Sequence, residues 1–105
     1  MTLFTLAELE AAARLVHSHM PPTPQYAWPL LARRAGAEVW VKHENHTPTG
    51  AFKVRGGFVY LDRLMRSGAK VAGVISATRG NHGQSIALAA AKQGIRSVIY
   101  VPRGN

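Results

Sequence analysis

Apolar residues along this chain switch between helical and strand spacing, and the switches mark its elements. Leu6, Leu9, Ala13 and Val16 fall at helical spacing behind Thr5 and Glu8, which form a T-x-x-E capping box. Met20-Pro21-Pro22 ends that helix, because proline has no N–H to donate and clashes with the preceding turn. Residues 21–28 then read as extended. Pro29 suits a first helical position, and Leu30 to Ala35 make a short helix stopped by Gly36. Glu38 to His43 is a strand of β-branched and aromatic residues. Asn45 to Gly50 is a loop, with Thr49 expected to cap the next helix. That helix should turn Phe52, Gly56, Val59, Tyr60 and Leu64 to one face and close at Ser67-Gly68. Val71 to Ser76 is a short apolar run of the buried-sheet type. An Ala-rich helix from Gly80 to Gln93 stops at Gly94, and a third strand, Ser97 to Val101, ends at Pro102.

Strand, helix, strand, helix, strand in that order implies an α/β protein with parallel pairing. No internal repeat or low-complexity segment interrupts it. Three strands make a thin core, and no helix follows the last one. The expectation is therefore the N-terminal portion of something larger.

Composition narrows the class without deciding the function. The chain has 105 residues, 47% of them hydrophobic, which is the content of a globular domain and not of a disordered tail. Its formal charge of +8 invites anionic partners. Yet Arg33-Arg34 is the only adjacent basic pair, and no alternation of aromatic and basic residues suggests a base-stacking platform. With no cysteine, disulfides and thiolate metal sites are excluded within the chain. The first residues carry no basic and apolar leader, and no apolar stretch approaches the ~20 residues of a membrane span, so a cytoplasmic protein is expected.

Three groups of residues are candidates for chemistry. His43-Glu44-Asn45-His46 invites a metal reading, but its histidines stand at i, i+3 at a strand end and not at i, i+4 on a helix, so no metal is expected. These are read as loop residues that position the following segment. That segment, Thr49-Gly-Ala-Phe-Lys53-Val-Arg-Gly-Gly57, sets a lysine between apolar neighbours, close to Arg55 and at a helix start. An amine attacks carbonyls only when deprotonated, a form favoured by apolar surroundings and a nearby cation. The plainer alternative is a surface lysine at the start of an amphipathic helix.

The third group, Ala77-Thr-Arg-Gly80-Asn-His-Gly83-Gln, lies between a strand and a helix N-terminus, where N–H groups and the helix dipole make an anion site. It lacks the first glycine of a dinucleotide fingerprint, since position 78 is Thr. An ordinary glycine-containing turn is again the plainer alternative. Taken together, an activated lysine and a polar anion loop, both past the ends of strands, suggest a Schiff-base enzyme acting on a carboxylate substrate.

These two segments carry a resemblance. Lys42 to Gly56, ending in Ala-Phe-Lys53-Val-Arg-Gly, resembles the lysine segment of pyridoxal-phosphate enzymes of the tryptophan-synthase-β fold type (fold type II). It is most similar to the serine/threonine dehydratase branch with its S-F-K-x-R-G. Ser76 to Gln84 resembles that branch's S-x-G-N-H-x-Q loop, at the expected distance downstream. The similarity runs through essentially the whole chain, including Pro22-Thr23-Pro24.

The resemblance implies the N-terminal part of a two-domain, tryptophan-synthase-β-like fold with parallel strands and flanking helices. Residues 1–69 would bear the Schiff-base lysine within the cofactor-binding domain, and residues 70–105 would open a second, smaller α/β domain. It implies pyridoxal 5'-phosphate as cofactor, held by Phe52, Lys53 and Asn81, with Lys53 also the base at the substrate's Cα. It implies Thr78, Gly80, His82 and the loop's N–H groups as the receivers of the substrate carboxylate. The reaction implied is conversion of a small hydroxy amino acid, threonine or serine, to a 2-oxo acid and ammonia. The partner is that small molecule, with no nucleic acid and no membrane, in a homo-oligomer at full length.

Two departures from the pattern stand out. Ala51 replaces the serine before Phe-Lys, and Arg79 occupies the position where serine racemases carry a second base. Arg79 argues against racemisation and is expected to contact either the substrate carboxylate or a second acidic group on the substrate. The family's glycine-rich phosphate cradle and its pyridine-nitrogen partner would lie beyond residue 105, so these residues alone are expected not to catalyse the reaction. A 3-hydroxyaspartate ammonia-lyase, a serine racemase, a truncated inactive product, and a non-catalytic anion- or nucleic-acid-binding module remain open. Salt-dependent DNA binding would favour the last.

Overall fold

The structure, a computed structural model, describes residues 3–105; Met1 and Thr2, the start of the stretch expected to carry no leader, lie outside the described residues. Helix α1 spans Leu6–His19. Its capping box is formed, with Glu8 N–H donating to Thr5 Oγ1 at 3.2 Å and Thr5 N–H donating to Glu8 Oε2 at 2.7 Å. Strand β1 (Gln25–Ala27) precedes helix α2 (Pro29–Ala35), which opens on proline and ends on Gly36 at φ 65°, a left-handed conformation that glycine adopts at no steric cost. Strand β2 (Trp40–Lys42) follows, then a 3₁₀ turn at Glu44–His46. Helix α3 (Lys53–Arg66), strand β3 (Gly73–Ala77), helix α4 (Asn81–Lys92) and strand β4 (Arg96–Tyr100) complete the order.

The strands pair differently from the simplest expectation. Only β3 and β4 are parallel, in a register that sets Ile75 against Val98. The earlier strand, β2, belongs to a separate two-stranded sheet and runs antiparallel to β1, with Tyr26 opposite Val41. Residues 25–27, read as merely extended, supply its partner, because the seven-residue helix α2 returns the chain alongside itself.

Helix α3 is the centre of the packing. Val54, Gly57, Phe58 and Leu61 are its buried residues, an i, i+3, i+4, i+7 stripe. They meet Val16 of α1 and Met20, which caps it, on one side and Ile86, Ala89 and Ala90 from α4 on the other. His19 stacks on Phe58 with ring centroids 4.6 Å apart. The face expected from the sequence was rotated from this one. Phe52, Gly56 and Tyr60 turn away from the core and line a cavity instead. Helix α4 in turn covers the β3–β4 sheet.

Two glycines allow the close approaches on which this packing rests. A Cβ at Gly57 would overlap the Ser85 hydroxyl of α4. A Cβ at Gly83 would stand 2.7 Å from Ile99 Cγ2 and 2.5 Å from Thr78 Cγ2, so that α4 could not lie on β4.

Candidate active site

Lys53 is the first residue of α3, whereas a helix capped by Thr49 would have made it the fourth. Thr49 is not the cap. Phe52 stands at that position, and Thr47 organises the loop in its place. The buried Thr47 hydroxyl accepts from Ala51 N–H at 2.9 Å and donates to Ala51 C=O at 2.8 Å, closing the loop across Gly50, whose φ is 68°. The loop therefore delivers Lys53 to the helix N-terminus in a fixed frame. On the far side, the buried Ser85 hydroxyl donates to the Lys53 carbonyl at 2.8 Å.

The Lys53 side chain is exposed, and its Nζ makes no hydrogen bond or ion pair among the described residues. Arg55, expected to act as a cation beside it, is engaged elsewhere. Its guanidinium forks onto Glu44, with Nε to Oε2 at 2.8 Å and Nη2 to Oε1 at 2.9 Å. Nη2 also donates to Thr23 Oγ1 at 3.2 Å, and the Thr23 hydroxyl donates to Glu44 Oε1.

Hydrogen bonds from Arg55, and then from Thr23, lower the Glu44 carboxyl from 4.5 to about 2 against an opposing desolvation cost. A carboxyl held low in the folded state stabilises above its unfolded pKa, and that stability is lost as pH falls through the folded value. Glu44→Gln is therefore expected to be less stable than the parent near neutrality, with the gap closing between pH 4.5 and about 2. Urea denaturation of both proteins across that range measures the gap. A gap independent of pH would contradict the assignment.

The loop 78–80 continues from β3, with Thr78 N–H donating to Tyr100 C=O at 2.9 Å. The Thr78 hydroxyl accepts from Gly80 N–H at 3.2 Å, which takes that N–H out of the set expected to receive a carboxylate. The N–H groups of Asn81 and His82, in the first turn of α4, have no acceptor within their helix. Asn81, His82 and Arg79 have exposed side chains, and Arg79 makes no ion pair among the described residues.

A cavity of about 610 Å³ lies between α3, β3 and the start of α4. Phe52, Lys53 and His82 line it together, with Tyr60, Ile75 and Ser85 among the other walls. Thr78, Arg79, Gly80 and Asn81 stand beside it without lining it. Its volume is that of a pocket for a cofactor-sized ligand. A primary amine without a protein partner, at the wall of a largely apolar cavity of that size, fits a carbonyl cofactor.

Residues 16–105 match the family model of the pyridoxal-phosphate dependent enzymes. The chain belongs to that family. It is 35% identical over 101 residues to an L-threonine ammonia-lyase of Thermotoga maritima, across 96% of this chain and 25% of that protein. It is 36% identical over 102 residues to an L-threo-3-hydroxyaspartate ammonia-lyase of a Pseudomonas species, across 97% of this chain and 32% of that one. Among solved structures, a pyridoxal 5'-phosphate-dependent aspartate racemase superposes with a TM-score of 0.87 at 29% identity, covering 99% of this chain and 33% of the racemase. The chain thus spans a quarter to a third of the length of these relatives. As in other pyridoxal-phosphate dependent enzymes, the cofactor is pyridoxal phosphate; the fold is that of the fold type II members among them.

Sequence reasoning missed Thr23, Thr47 and Ser85, all buried. Threonine and serine carry no signal by type, and only their hydrogen bonds distinguish them. The motif 43–46 was read as positioning the lysine segment, and Glu44 is bonded to that segment's Arg55. His43 is occupied by Trp28, whose Nε1–H donates to its Nε2 at 2.9 Å. No group of metal-binding side chains forms among the described residues, and no helix there is long and apolar enough to cross a membrane.

Proposed function

We propose that the protein is a cytoplasmic ammonia-lyase that converts L-threonine or L-serine to the 2-oxo acid and ammonia. In this reading residues 1–69 supply the Schiff-base lysine and residues 70–105 open the substrate-binding unit. The observation that carries it is the meeting of the partner-free Lys53 amine and His82 on one cavity. Similarity to an L-threonine ammonia-lyase supports the reaction class.

Bound pyridoxal phosphate supplies the electron sink for charge that develops at Cα. Lys53 Nζ holds the cofactor and is the base at the substrate's Cα–H. The Phe52 ring, 62% exposed, offers an apolar face to a planar ligand, and the Asn81 amide holds the cofactor's 3-hydroxyl. Thr78, His82 and the free N–H groups at the start of α4 hold the substrate carboxylate, helped by the helix dipole. The apolar walls exclude water. The net reaction balances as loss of the β-hydroxyl as water, followed by uptake of water with release of ammonia.

Arg79 supports a second reading. An exposed guanidinium with no ion pair, in the loop that leads into α4, suits a substrate with a second carboxylate, such as 3-hydroxyaspartate. The test is 2-oxo acid release by the protein as its gene encodes it, with added pyridoxal phosphate, from threonine, serine and 3-hydroxyaspartate. Release from none of them would defeat the proposal. Arg79→Ser is expected to lower kcat/KM for 3-hydroxyaspartate roughly tenfold or more relative to threonine, the scale of one charge-assisted hydrogen bond. An unchanged preference would remove Arg79 from the specificity set.

A further inference from the structure

Lys53 is held by its backbone, since its own side chain has no partner among the described residues, so whatever fixes the start of α3 fixes where the amine can reach. Two attachments do so. Ser85 holds the Lys53 carbonyl from the α4 side. On the other side the only charged anchor among the described residues is Arg55, in the first turn of α3, which forks onto Glu44 at 2.8 and 2.9 Å. Glu44 lies in the 3₁₀ turn that follows β2, and Thr23, on the segment before β1, bonds both partners. Thr23 is 7% exposed, and the Arg55 and Glu44 side chains are 25% and 21% exposed, so the cluster is partly shielded from water.

Three stretches far apart in sequence therefore converge on the ends of the loop that presents Lys53. A bidentate arginine–carboxylate pair fixes direction as well as distance, which an ammonium cannot do.

We propose that Thr23, Glu44 and Arg55 are positioning residues: their cluster aims the Lys53 amine into the cavity, and the cofactor's attachment to that amine depends on it. This rests on the reading of Lys53 as the attachment lysine. The cluster touches neither cofactor nor substrate. Its effect is geometric, and misplacing a reacting group by about 1 Å can cost on the order of a hundredfold in rate.

The experiment compares two reagents on the same residue. The protein as its gene encodes it is exposed to pyridoxal phosphate with borohydride trapping, and separately to formaldehyde with cyanoborohydride. Modification at Lys53, Lys70 and Lys92 is timed by peptide mass spectrometry and expressed per folded molecule. Formaldehyde needs no oriented site, so it reports exposure of the amine alone. In the parent, pyridoxal phosphate is expected to modify Lys53 faster than Lys70 and Lys92. Glu44→Gln and Arg55→Lys should each slow that attachment roughly tenfold while leaving methylation of Lys53 unchanged. Thr23→Val, which keeps the shape and loses the hydroxyl, should slow it about two- to threefold, and Thr23→Ser should restore it.

Attachment that is unchanged in whichever of Glu44→Gln and Arg55→Lys folds, or that falls in step with methylation, overturns the positioning role. A parent protein that modifies Lys53 no faster than Lys70 and Lys92 defeats the reading of Lys53 itself, and the positioning role with it.

Discussion

Lys53→Ala is expected to lower 2-oxo acid release by about 10³-fold or more, because in the proposed reaction one amine serves both as covalent holder and as base, and a positioned base alone contributes about 10²–10⁴. The fold should survive the change. The Lys53 side chain is exposed and bonded to nothing, alanine is a better helix former than lysine, and the Ser85 hydrogen bond is to the backbone carbonyl and stays in place. Lys53→Arg should be as inactive as Lys53→Ala, since a guanidinium stays protonated and is no nucleophile at neutral pH. Steady-state turnover by both variants, alongside circular dichroism to confirm folding, measures the effect. Activity within tenfold of the parent in either variant would show that Lys53 is a surface lysine at a helix start and nothing more.

Gly57→Ala should destabilise the protein and separate the two helices that carry the site. The added Cβ would overlap the Ser85 hydroxyl and stand 3.1 Å from the Ser85 carbonyl oxygen. Overpacking of this kind costs about 1–3 kcal/mol. The better helix propensity of alanine returns at most about 1 kcal/mol, so the overlap wins. Moving α4 away from α3 also lengthens the reach from Lys53 to His82, and turnover should fall together with stability.

The neighbouring position is the control. A Cβ at Gly56 meets nothing within 4 Å, so Gly56→Ala should be neutral or stabilising by up to about 1 kcal/mol. Ser85→Ala removes the overlapping oxygen and should recover most of the loss in the Gly57→Ala, Ser85→Ala double variant. It gives up only one hydrogen bond, worth about 1 kcal/mol, to a carbonyl that keeps its place in the helix. Denaturant midpoints of the four proteins test the scheme. If Gly57→Ala were as stable as Gly56→Ala, the close packing of α3 on α4 would be refuted.

Features decided within a few residues were legible in the sequence. Thr5 and Glu8 cap α1, Pro29 opens α2 and Gly36 closes it, and Gly94 ends α4 at φ 68°, because caps and positive φ depend on local hydrogen bonds and sterics. The lysine segment and the Gly80-Asn81-His82-Gly83 loop were legible for another reason. Their residue types in order resemble one enzyme family, and the family match bears that out.

The face of α3 was not legible. Apolar side chains occur on both of its sides, Phe52 and Tyr60 on one and Phe58 and Leu61 on the other, and periodicity cannot say which side meets another helix. Nor was the pairing of β2, because strand propensity does not name a partner and β1 is only three residues long.

By itself, then, the sequence determined the helices, the caps of α1 and α2, the family, and Lys53 with its downstream loop as the residues to watch. Tertiary structure alone decided that Lys53 and His82 share a cavity, that Arg55 turns to Glu44 and Thr23, and that Ser85 holds the lysine's backbone. The physical reason is range. A cap or a turn is settled by interactions a few residues long, whereas a bidentate ion pair or a helix-to-helix contact forms between residues that only the folded chain brings together.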